Sequence, residues 1–330
     1  MPRRIIFPAA GQVQYASFES RAPGPGEIRV RTLYSLMSIG TETTILHGRY
    51  DAGTHFAARF SFPQIKTGVQ AVGLIEACGD GVSEFAPGAQ VFMRMAHTAE
   101  ATLPAAACSP IPEGLDLKAA CWCGLAKTAF RAAHAAPFQL GGEVLILGAG
   151  PVGQMALRWA ACAGMKDITV ADVSPLRLDL AQRGGATRCV QGPADALRAT
   201  LDLPPGGGFE LVVDSTGNPA VFGAALGLAC PFGKVVLLGD TGYPDRQHLT
   251  SDLMTRGLTL IATHDHHDRG GFDQRRIDAL FFHLVRSGAF RLEGLITHEF
   301  APQDCAAAYQ LASERRQDAL GVLFDWTATD

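Results

Sequence analysis

Hydrophobic residues in the second half of the chain recur in short continuous runs, and amphipathic stretches separate most of these runs. Strands that are covered on both faces carry continuous rather than alternating apolar residues. The runs predict six strands of a parallel sheet, at Val144–Leu147, Ile168–Ala171, Thr187–Val190, Glu210–Asp214, Lys234–Leu238 and Leu258–Ala262. Six strands joined by helical crossovers predict a doubly wound α/β sheet, which binds ligands at the carboxyl ends of its strands.

The first 118 residues have a different pattern, in which short alternating segments are broken by Gly and Pro. They predict half-buried strands of a β-rich, barrel-like domain, at Glu27–Leu33, Ala71–Cys78 and Gly88–Met95. A helix is predicted over Ala119–Ala136. After residue 265, helices and strands that we expect to return to the first domain are predicted at Phe272–Ser287, Leu295–Phe300, Pro302–Arg316 and Gly321–Trp326. The predicted domains are residues 1–120, 121–266 and 267–330.

A glycine-rich turn lies between the first predicted strand of the sheet and the helix after it. It reads Gly148-x-Gly150-x-x-Gly153, and Asp172 ends the next strand 172 − 153 = 19 residues later. The glycines permit a tight turn, close approach to a pyrophosphate, and close packing of helix on strand, while the helix N-terminus attracts phosphate. A carboxylate in this position accepts both ribose hydroxyls of NAD and repels a 2′-phosphate. The pattern predicts an NAD site, against a purely structural turn.

Composition narrows the possible classes of protein. The 330 residues are 47% hydrophobic and 18% charged, and the net charge is −4, so there is no basic field to hold nucleic acid. The longest apolar runs are too short to span a bilayer, and the N-terminus has no apolar core of a secretion signal. Eight scattered cysteines are typical of a reducing compartment. We therefore expect a cytoplasmic protein with neither a membrane nor a nucleic acid as partner.

The order of these segments, with Gly40-Thr-Glu42, Gly68-Val-Gln-x-x-Gly73 and the glycine turn, resembles the medium-chain dehydrogenase/reductase superfamily of alcohol and polyol dehydrogenases. The resemblance covers nearly the whole chain. It implies a GroES-like β-rich catalytic domain, a Rossmann domain with a six-stranded parallel sheet, and a homodimer.

The positions that ligate zinc in members of this superfamily are changed here. The first is Ile39, the second is Val69, and only the third, Cys123, can bind a metal ion. The four-cysteine structural zinc lobe is also absent, since Cys108 stands alone between Val91 and Lys118. Because a catalytic zinc needs three protein ligands, we predict no metal at either site. A remodelled site of Cys123, His97 and Glu42 is the alternative.

Without zinc, a side chain must stabilise the developing alkoxide and move its proton. Resemblance places Thr41 beside the substrate oxygen and Glu42 behind it, and it places Lys127 at a helix start that faces the nicotinamide. His97 matches a segment that lines the substrate pocket. Each candidate also has a structural interpretation: strand packing for Thr41, a cap or salt bridge for Glu42, an ion-paired Lys127 and a hydrogen-bonded structural His97.

For the cofactor, the resemblance carries over to several groups of residues. Pyrophosphate contacts are expected from Gly148, Gly150, Pro151, Val152 and Gly153, and ribose contacts from Asp172 and Arg177. The path to the nicotinamide is expected to be lined by Ser215, Thr216, Gly217, Leu238 and Gly239. The segment Thr263–Asp268 is rich in His and Asp. We interpret it as a loop in which His264 or Asp265 contacts ligand, rather than as a metal site. Asp240 and Thr241 are further candidates for ligand contact.

The resulting hypothesis is a zinc-independent, NAD(H)-dependent dehydrogenase that oxidises a secondary alcohol of a sugar, polyol or cyclitol. A relative of the bacteriochlorophyllide-type hydroxyethyl dehydrogenases is one alternative, since those share the Ser38-Ile-Gly-Thr-Glu42 pattern. An NADPH-dependent quinone or enoyl reductase is another, and Asp172 argues against it. A non-catalytic nucleotide-binding protein is the third.

Overall fold

The computed structural model describes residues 1–268 and 270–328. Within its first 110 residues, all of them described, eight strands form: β1 (Arg3–Phe7), β2 (Gln14–Ser17), β3 (Glu27–Leu36), β4 (Ile65–Lys66), β5 (Ala71–Cys78), β6 (Gln90–Met93), β7 (Glu100–Pro104) and β8 (Cys108–Pro110). Helices α1 (Ile39–Leu46) and α2 (His55–Arg59) interrupt them, and α3 (Leu117–Ala120) and α4 (Cys123–Ala135) follow. The helix predicted over 119–136 is therefore broken at Cys121–Trp122.

The parallel sheet occupies residues 143–262, all of which the structure describes. Its strands are β9 (Glu143–Leu147), β10 (Asp167–Asp172), β11 (Arg188–Gln191), β12 (Phe209–Asp214), β13 (Ala229–Leu237) and β14 (Thr259–Ala262). Their order across the sheet is β11-β10-β9-β12-β13-β14. The chain reverses direction of travel between β9 and β12, which is the position where doubly wound sheets open a ligand crevice. The connecting helices are α5 (Pro151–Cys162), α6 (Pro175–Arg183), α7 (Leu197–Thr200), α8 (Pro219–Leu228) and α9 (Asp252–Thr255).

The C-terminal segment packs back against the first part of the chain. It contains α10 (Gln274–Arg286), β15 (Ile296–Phe300), α11 (Cys305–Glu314) and β16 (Gly321–Asp325). Strand β16 pairs antiparallel with β3 and parallel with β15, so the larger β-rich sheet runs β15-β16-β3-β5-β6-β8 with β7 also on β3. The predicted fold class, a β-rich domain with a six-stranded parallel sheet, is confirmed. The exact domain boundaries stay a prediction.

Helix α4 joins the two sheets because its apolar face is buried on α5 and α10. The indole N–H of Trp159 on α5 donates to the carbonyl of Ala126 on α4 at 2.8 Å. Edge-to-face contacts extend this core from Trp159 to Phe130 and Phe290. Burial of each such aromatic side chain stabilises the fold by ~1.5–3 kcal/mol. The start of α4 is consequently held rigidly at the crevice. Among the described helices, none combines the length and the apolar character that crossing a bilayer requires.

Candidate functional site

The glycine turn has the geometry that a dinucleotide cradle needs. Gly148 has φ +89°, a left-handed conformation, and a Cβ there would lie 2.7 Å from Cγ2 of Thr216. A Cβ on Gly153 would lie 2.0 Å from the carbonyl oxygen of Gly148. Near Gly150, in contrast, a Cβ would meet only the guanidinium of Arg177, at 3.8 Å. The turn is therefore packed tightly on its inner side and open at Gly150, where phosphate oxygens could approach the backbone of α5.

The first residues of α5 support this cradle. Pro151 begins the helix, where the absent N–H costs no hydrogen bond. Val152, the next residue, packs partly buried against the main core. The hydroxyl of Ser215 lies 2.9 Å from the carbonyl oxygens of both Leu147 and Gly148. These contacts fix the orientation of the turn before any ligand binds.

Asp172 at the end of β10 is oriented towards the glycine turn. Its carboxylate accepts the backbone N–H of Ala149 at 2.6 Å and that of Ser174 at 2.8 Å. Each carboxylate oxygen keeps a lone pair free, because it accepts a single hydrogen bond here. Acceptor positions therefore remain open on both oxygens of this carboxylate.

Two further arginines reach this part of the crevice, and sequence reasoning missed both. A Cβ on Gly40 would lie 3.3 Å from a guanidinium nitrogen of Arg316. Desolvation lowers the pKa of Arg316, Asp172 counteracts this by attraction, and Arg49 adds repulsion. Arg177 is buried and donates to the backbone carbonyl of Ala319 at 2.9 Å and to that of Arg316. Arg177 therefore holds the C-terminal segment in place, while Arg316 and Arg49 bring positive charge towards the cradle.

The carboxyl ends of β12 and β13 form the next part of the crevice. A Cβ on Gly239 would lie 2.3 Å from the backbone nitrogen of Gly217, and one on Gly217 would lie 2.1 Å from the carbonyl oxygen of Asp240. Thr216 donates through its hydroxyl to Asp214 at 2.6 Å, and Leu238 is buried. The predicted lining residues of these two loops therefore lie side by side.

Glu42 and His97 form a fully buried hydrogen-bond network. Oε2 of Glu42 lies 3.0 Å from Nε2 of His97, accepts the hydroxyl of Thr67 at 2.8 Å, and also accepts the hydroxyl of Tyr309. Oε1 accepts the backbone N–H of Ser38 at 2.7 Å. Both side chains are 0–1% exposed. Every oxygen of this carboxylate is therefore occupied by a protein donor.

The network continues from His97 to the C-terminal strand. Nδ1 of His97 lies 2.7 Å from the hydroxyl of Ser35, which also accepts the indole N–H of Trp326 at 2.8 Å. Burial alone would raise the pKa of Glu42, but the charge of His97 and the hydrogen bonds from His97, Tyr309 and Ser38 hold it below the ordinary value. The network ties α1, β3 and α11 together.

Thr41 lies beside this network but is only half buried. It lies in the first turn of helix α1, so the alternative interpretation of Thr41 as a residue packed in a strand is wrong. Its hydroxyl accepts that of Ser38 at 3.3 Å. Thr41 is thus linked to Glu42 through Ser38, and it shares the start of α1 with Gly40 and the nearby Arg316.

Lys127 belongs to a second polar cluster, at the carboxyl end of β14. Its ammonium lies 3.5 Å from the carboxylate of Asp265 and 3.4 Å from the amide oxygen of Gln274. Arg94 also pairs with Asp265, at 2.8 Å, and Thr128 donates to it at 3.3 Å. Burial alone would raise the pKa of Asp265, but Arg94 and Lys127 hold it below the ordinary value. Lys127 is therefore ion-paired in a partly open cluster beside His264.

The position at which the resemblance implies a catalytic zinc does not have suitable ligands for zinc. Ile39 is buried and apolar, Val69 has no donor atom, and Cys123 is completely buried. Burial raises the pKa of the Cys123 thiol well above its usual range, and the adjacent Asp278 raises it further. With one thiol and two aliphatic side chains, this position lacks the three ligands that zinc requires. Gln70 stands next to it, and its amide oxygen accepts the backbone N–H of Leu125 at 3.1 Å.

His264 lies across the crevice mouth from another histidine. His55, the first residue of α2, bonds through Nε2 to the carboxylate of Asp240 at 3.0 Å. The rings of His55 and His264 meet edge to face, with centroids 5.6 Å apart. Sequence reasoning identified Asp240 and His264 but not His55, because nothing local distinguishes a histidine after Gly53-Thr54.

Part of the chain is similar in sequence to known dehydrogenases. Residues 151–267 match the family model described as zinc-binding dehydrogenase. An L-threonine 3-dehydrogenase of Burkholderia thailandensis is 32% identical over 194 residues, covering 57% of this chain and 52% of that protein. The chain thus spans about half the length of the curated relatives that it matches.

Two solved structures from Escherichia coli have the same fold over nearly the whole chain. A short chain alcohol dehydrogenase complexed with NADH superposes with a TM-score of 0.82, and galactitol-1-phosphate dehydrogenase with 0.81. Each is 20% identical and covers 98% of this chain and 99% of its own. The chain is therefore similar to zinc-binding dehydrogenases over residues 151–267, and it shares the fold of these two solved structures. The roles of the individual site residues stay predictions.

Proposed function

We propose that this protein is an NAD(H)-dependent dehydrogenase that interconverts a secondary alcohol and a ketone on a hydroxyl-rich small molecule. The observation that carries the proposal is the cradle itself: a glycine turn open at Gly150, with the oriented carboxylate of Asp172 beside it. When bound there, the nicotinamide accepts or returns the hydride.

Asp172 favours NAD over NADP for an electrostatic reason. A 2′-phosphate carries up to two negative charges, and it would have to approach a carboxylate whose orientation is fixed by Ala149 and Ser174. The ribose hydroxyls of NAD instead donate to that carboxylate. Arg316 interacts electrostatically with Asp172 and Arg49, so this part of the crevice also carries positive charge that can attract the phosphates of either cofactor.

We propose Thr41 and Lys127 as the groups that face the substrate, and Glu42 and His97 as positioning residues. A hydroxyl or ammonium can hold a developing alkoxide by hydrogen bonding and charge, and can exchange its proton. Glu42 and His97 have no free polar atom for this task, because each is occupied inside the protein. They hold the start of α1, where Thr41 lies.

Zinc at the family position has no part in this proposal, since Ile39 and Val69 cannot ligate it. The hydroxyl-rich substrate is supported by the polar character of the second cluster, where Arg94, Lys127 and Gln274 offer several hydrogen-bond donors and an acceptor. Homodimer formation and a cytoplasmic location remain expectations from the resemblance and the composition.

The test begins with cofactor binding, which is measured by fluorescence titration with NADH and with NADPH. We expect NADH to bind at least ~10-fold more tightly than NADPH. The 2′-phosphate adds a charge repulsion and removes a hydrogen bond at Asp172, and together these cost about 1.4 kcal/mol or more. Asp172→Ala is expected to weaken NADH binding and to reduce the difference between the Kd values for NADH and NADPH. A chain that binds neither nucleotide would overturn the proposal.

Turnover is then measured with NAD on a panel of polyols, cyclitols and other secondary alcohols, and with NADH on the matching ketones. Lys127→Met is expected to lower kcat by ~10²–10⁴-fold, as for loss of an acid–base group, while the Kd for NADH stays within twofold. Lys166→Met, at a lysine that is 76% exposed, is the matched control. Equal kcat values for the two variants would remove Lys127 from the mechanism, and NADH binding without turnover on any substrate would favour a non-catalytic protein.

A further inference from the structure

Three loops at the mouth of the crevice each contribute one side chain of a type that binds metal ions. His55 begins α2, Asp240 follows β13, and His264 follows β14. One nitrogen or oxygen from each lies within 4.8 Å of the other two. The three residues come from opposite sides of the crevice, since α2 belongs to the β-rich part of the chain and the two strands to the parallel sheet.

The backbone around these residues is docked rather than loose. The N–H of Asp51 donates to the carbonyl of Gly242 at 2.8 Å, and a Cβ on Gly242 would lie 2.0 Å from the carbonyl oxygen of Arg49. The hydroxyl of Thr54 accepts the N–H of Ala57 and so caps α2. The loop that carries His55 is therefore held directly against the loop that carries Asp240.

The separation of the three groups is close to that of a metal site. Tetrahedral ligation of Zn²⁺ at ~2.0–2.1 Å places neighbouring ligand atoms ~3.3 Å apart. Nε2 of His55 and Oδ2 of Asp240 are already 3.0 Å apart. His264 then has to approach by ~1.5 Å at most, which a side-chain rotation provides.

Two imidazoles and one carboxylate form a ligand set that zinc uses when one position is left for water or substrate. The side chains of His55 and Asp240 are 51% and 43% exposed, so solvent reaches the space between them. We propose that His55, Asp240 and His264 bind one zinc ion across the mouth of the crevice, with at least one coordination position open.

This site differs from the zinc position of the family in every ligand, and none of its residues contacts Ile39, Val69 or Cys123 in the described hydrogen bonds. A bound ion would neutralise Asp240 and join the β-rich part of the chain to the parallel sheet. Nδ1 of His264 accepts the N–H of His266 at 3.3 Å. Coordination through Nε2 requires the proton on Nδ1, so that long bond would open when zinc binds. The inference goes beyond the proposed function and does not depend on it.

The experiment is a calorimetric titration of the 330-residue chain with zinc, after bound metal has been removed with a chelator. We expect one zinc per chain. His55→Ala and Asp240→Asn are each expected to lower the affinity for zinc at least ~10-fold. Even residues that only hydrogen-bond to metal ligands change metal affinity by about 10–100-fold when they are mutated. His264→Ala is expected to do the same. His266→Ala, a histidine of the same loop outside the ligand set, is the matched control and is expected to bind like the unmodified chain.

Cobalt substitution identifies the ligands independently of affinity. The visible spectrum of the Co²⁺ form is expected to be that of a four- or five-coordinate site without thiolate charge-transfer bands. A thiolate band that disappears in Cys123→Ser would place the ion at the family position and overturn the proposal. Failure to bind zinc, or undiminished binding in His55→Ala and Asp240→Asn, would also overturn it. NADH titration of the metal-free chain tests the proposed function separately.

Discussion

The donors that converge on Glu42 make its replacement a direct test of whether this carboxylate holds the fold together. Glu42→Ala removes the acceptor for Ser38, Thr67, His97 and Tyr309. The hydroxyls of Thr67 and Tyr309 can pair with one another, since they are 3.0 Å apart. The N–H of Ser38 and the ring of His97 are then left without this partner in a buried site.

Each buried donor that loses its partner costs ~1–3 kcal/mol, and breaking a buried ionic or hydrogen-bonded pair costs ~3–5 kcal/mol. We expect Glu42→Ala to lower the free energy of unfolding by ~3–5 kcal/mol. Glu42→Gln should cost less, ~1–3 kcal/mol. The amide keeps one acceptor oxygen, but its NH₂ must face either Ser38 or the three donors on the other side.

The effect should depend on pH in a defined direction. The pKa of Glu42 in the folded protein lies below its ordinary value, so its ionised form stabilises the fold above the unfolded-state carboxyl pKa. That stabilisation is lost as the pH falls through the folded-state pKa. The stability difference between the unmodified protein and Glu42→Gln is therefore expected to be full at neutral pH and to shrink at acidic pH.

Urea unfolding followed by tryptophan fluorescence measures these differences, because Trp122, Trp159 and Trp326 are all buried. Glu314→Gln, an exposed glutamate on α11, is the control and should change stability by less than ~0.5 kcal/mol. An Ala variant that unfolds at the same urea concentration as the unmodified chain would refute the structural role. A large loss of kcat with unchanged stability would instead place Glu42 in the reaction.

Two further predictions concern other parts of the molecule. Arg316→Ala is expected to weaken NADH binding ~10-fold or more by removing a cation that interacts with Asp172 near the proposed cofactor site, with the free energy of unfolding changed by less than ~0.5 kcal/mol. NADH titration and urea unfolding check the two expectations, and unchanged NADH affinity would contradict the assignment. Burial raises the pKa of Asp278, although hydrogen bonds from Ser109 and Cys123 oppose that shift, so this acid opposes folding increasingly as the pH rises through its folded-state pKa. Asp278→Asn keeps an acceptor for Ser109 and should stabilise the protein by ~1–2 kcal/mol at pH 8 but less at pH 5; a destabilised variant at pH 8 would contradict this.

Segments with a strong local pattern were predicted well from the sequence. The alternating strand Ala71–Cys78 is observed with those bounds, and the buried runs of the parallel sheet agree within one residue except at β13, which begins at Ala229 rather than Lys234. The sequence pattern did not predict helix α1, because Gly40 and the β-branched residues of this segment have low helix propensity. Burial against the C-terminal segment compensates for that low propensity in the folded protein.

The arrangement of the site depended on contacts between distant parts of the chain, which no local pattern reveals. Glu42 meets Thr67, His97 and Tyr309 across 25, 55 and 267 residues. Resemblance named Glu42 and His97 as neighbours of the substrate, but only the fold shows that their polar atoms are already used. Likewise Arg316 and His55 carry no motif, and they reach the crevice because of how β16 and α2 are docked.

Hydrogen-bond capacity separates the two polar clusters by what each can do. A carboxylate has about four acceptor positions, and in Glu42 the inward ones are filled by protein donors at full burial. Asp265, Lys127 and Arg94 are 12%, 6% and 27% exposed, and their contacts include longer ones, up to 3.5 Å. A ligand hydroxyl that approaches Lys127 would therefore replace longer contacts, whereas entry at Glu42 would break several short bonds. Because a reacting group must exchange partners during turnover, we propose that the chemistry takes place at the carboxyl end of β14 and that the buried network keeps the start of α1 in position for it.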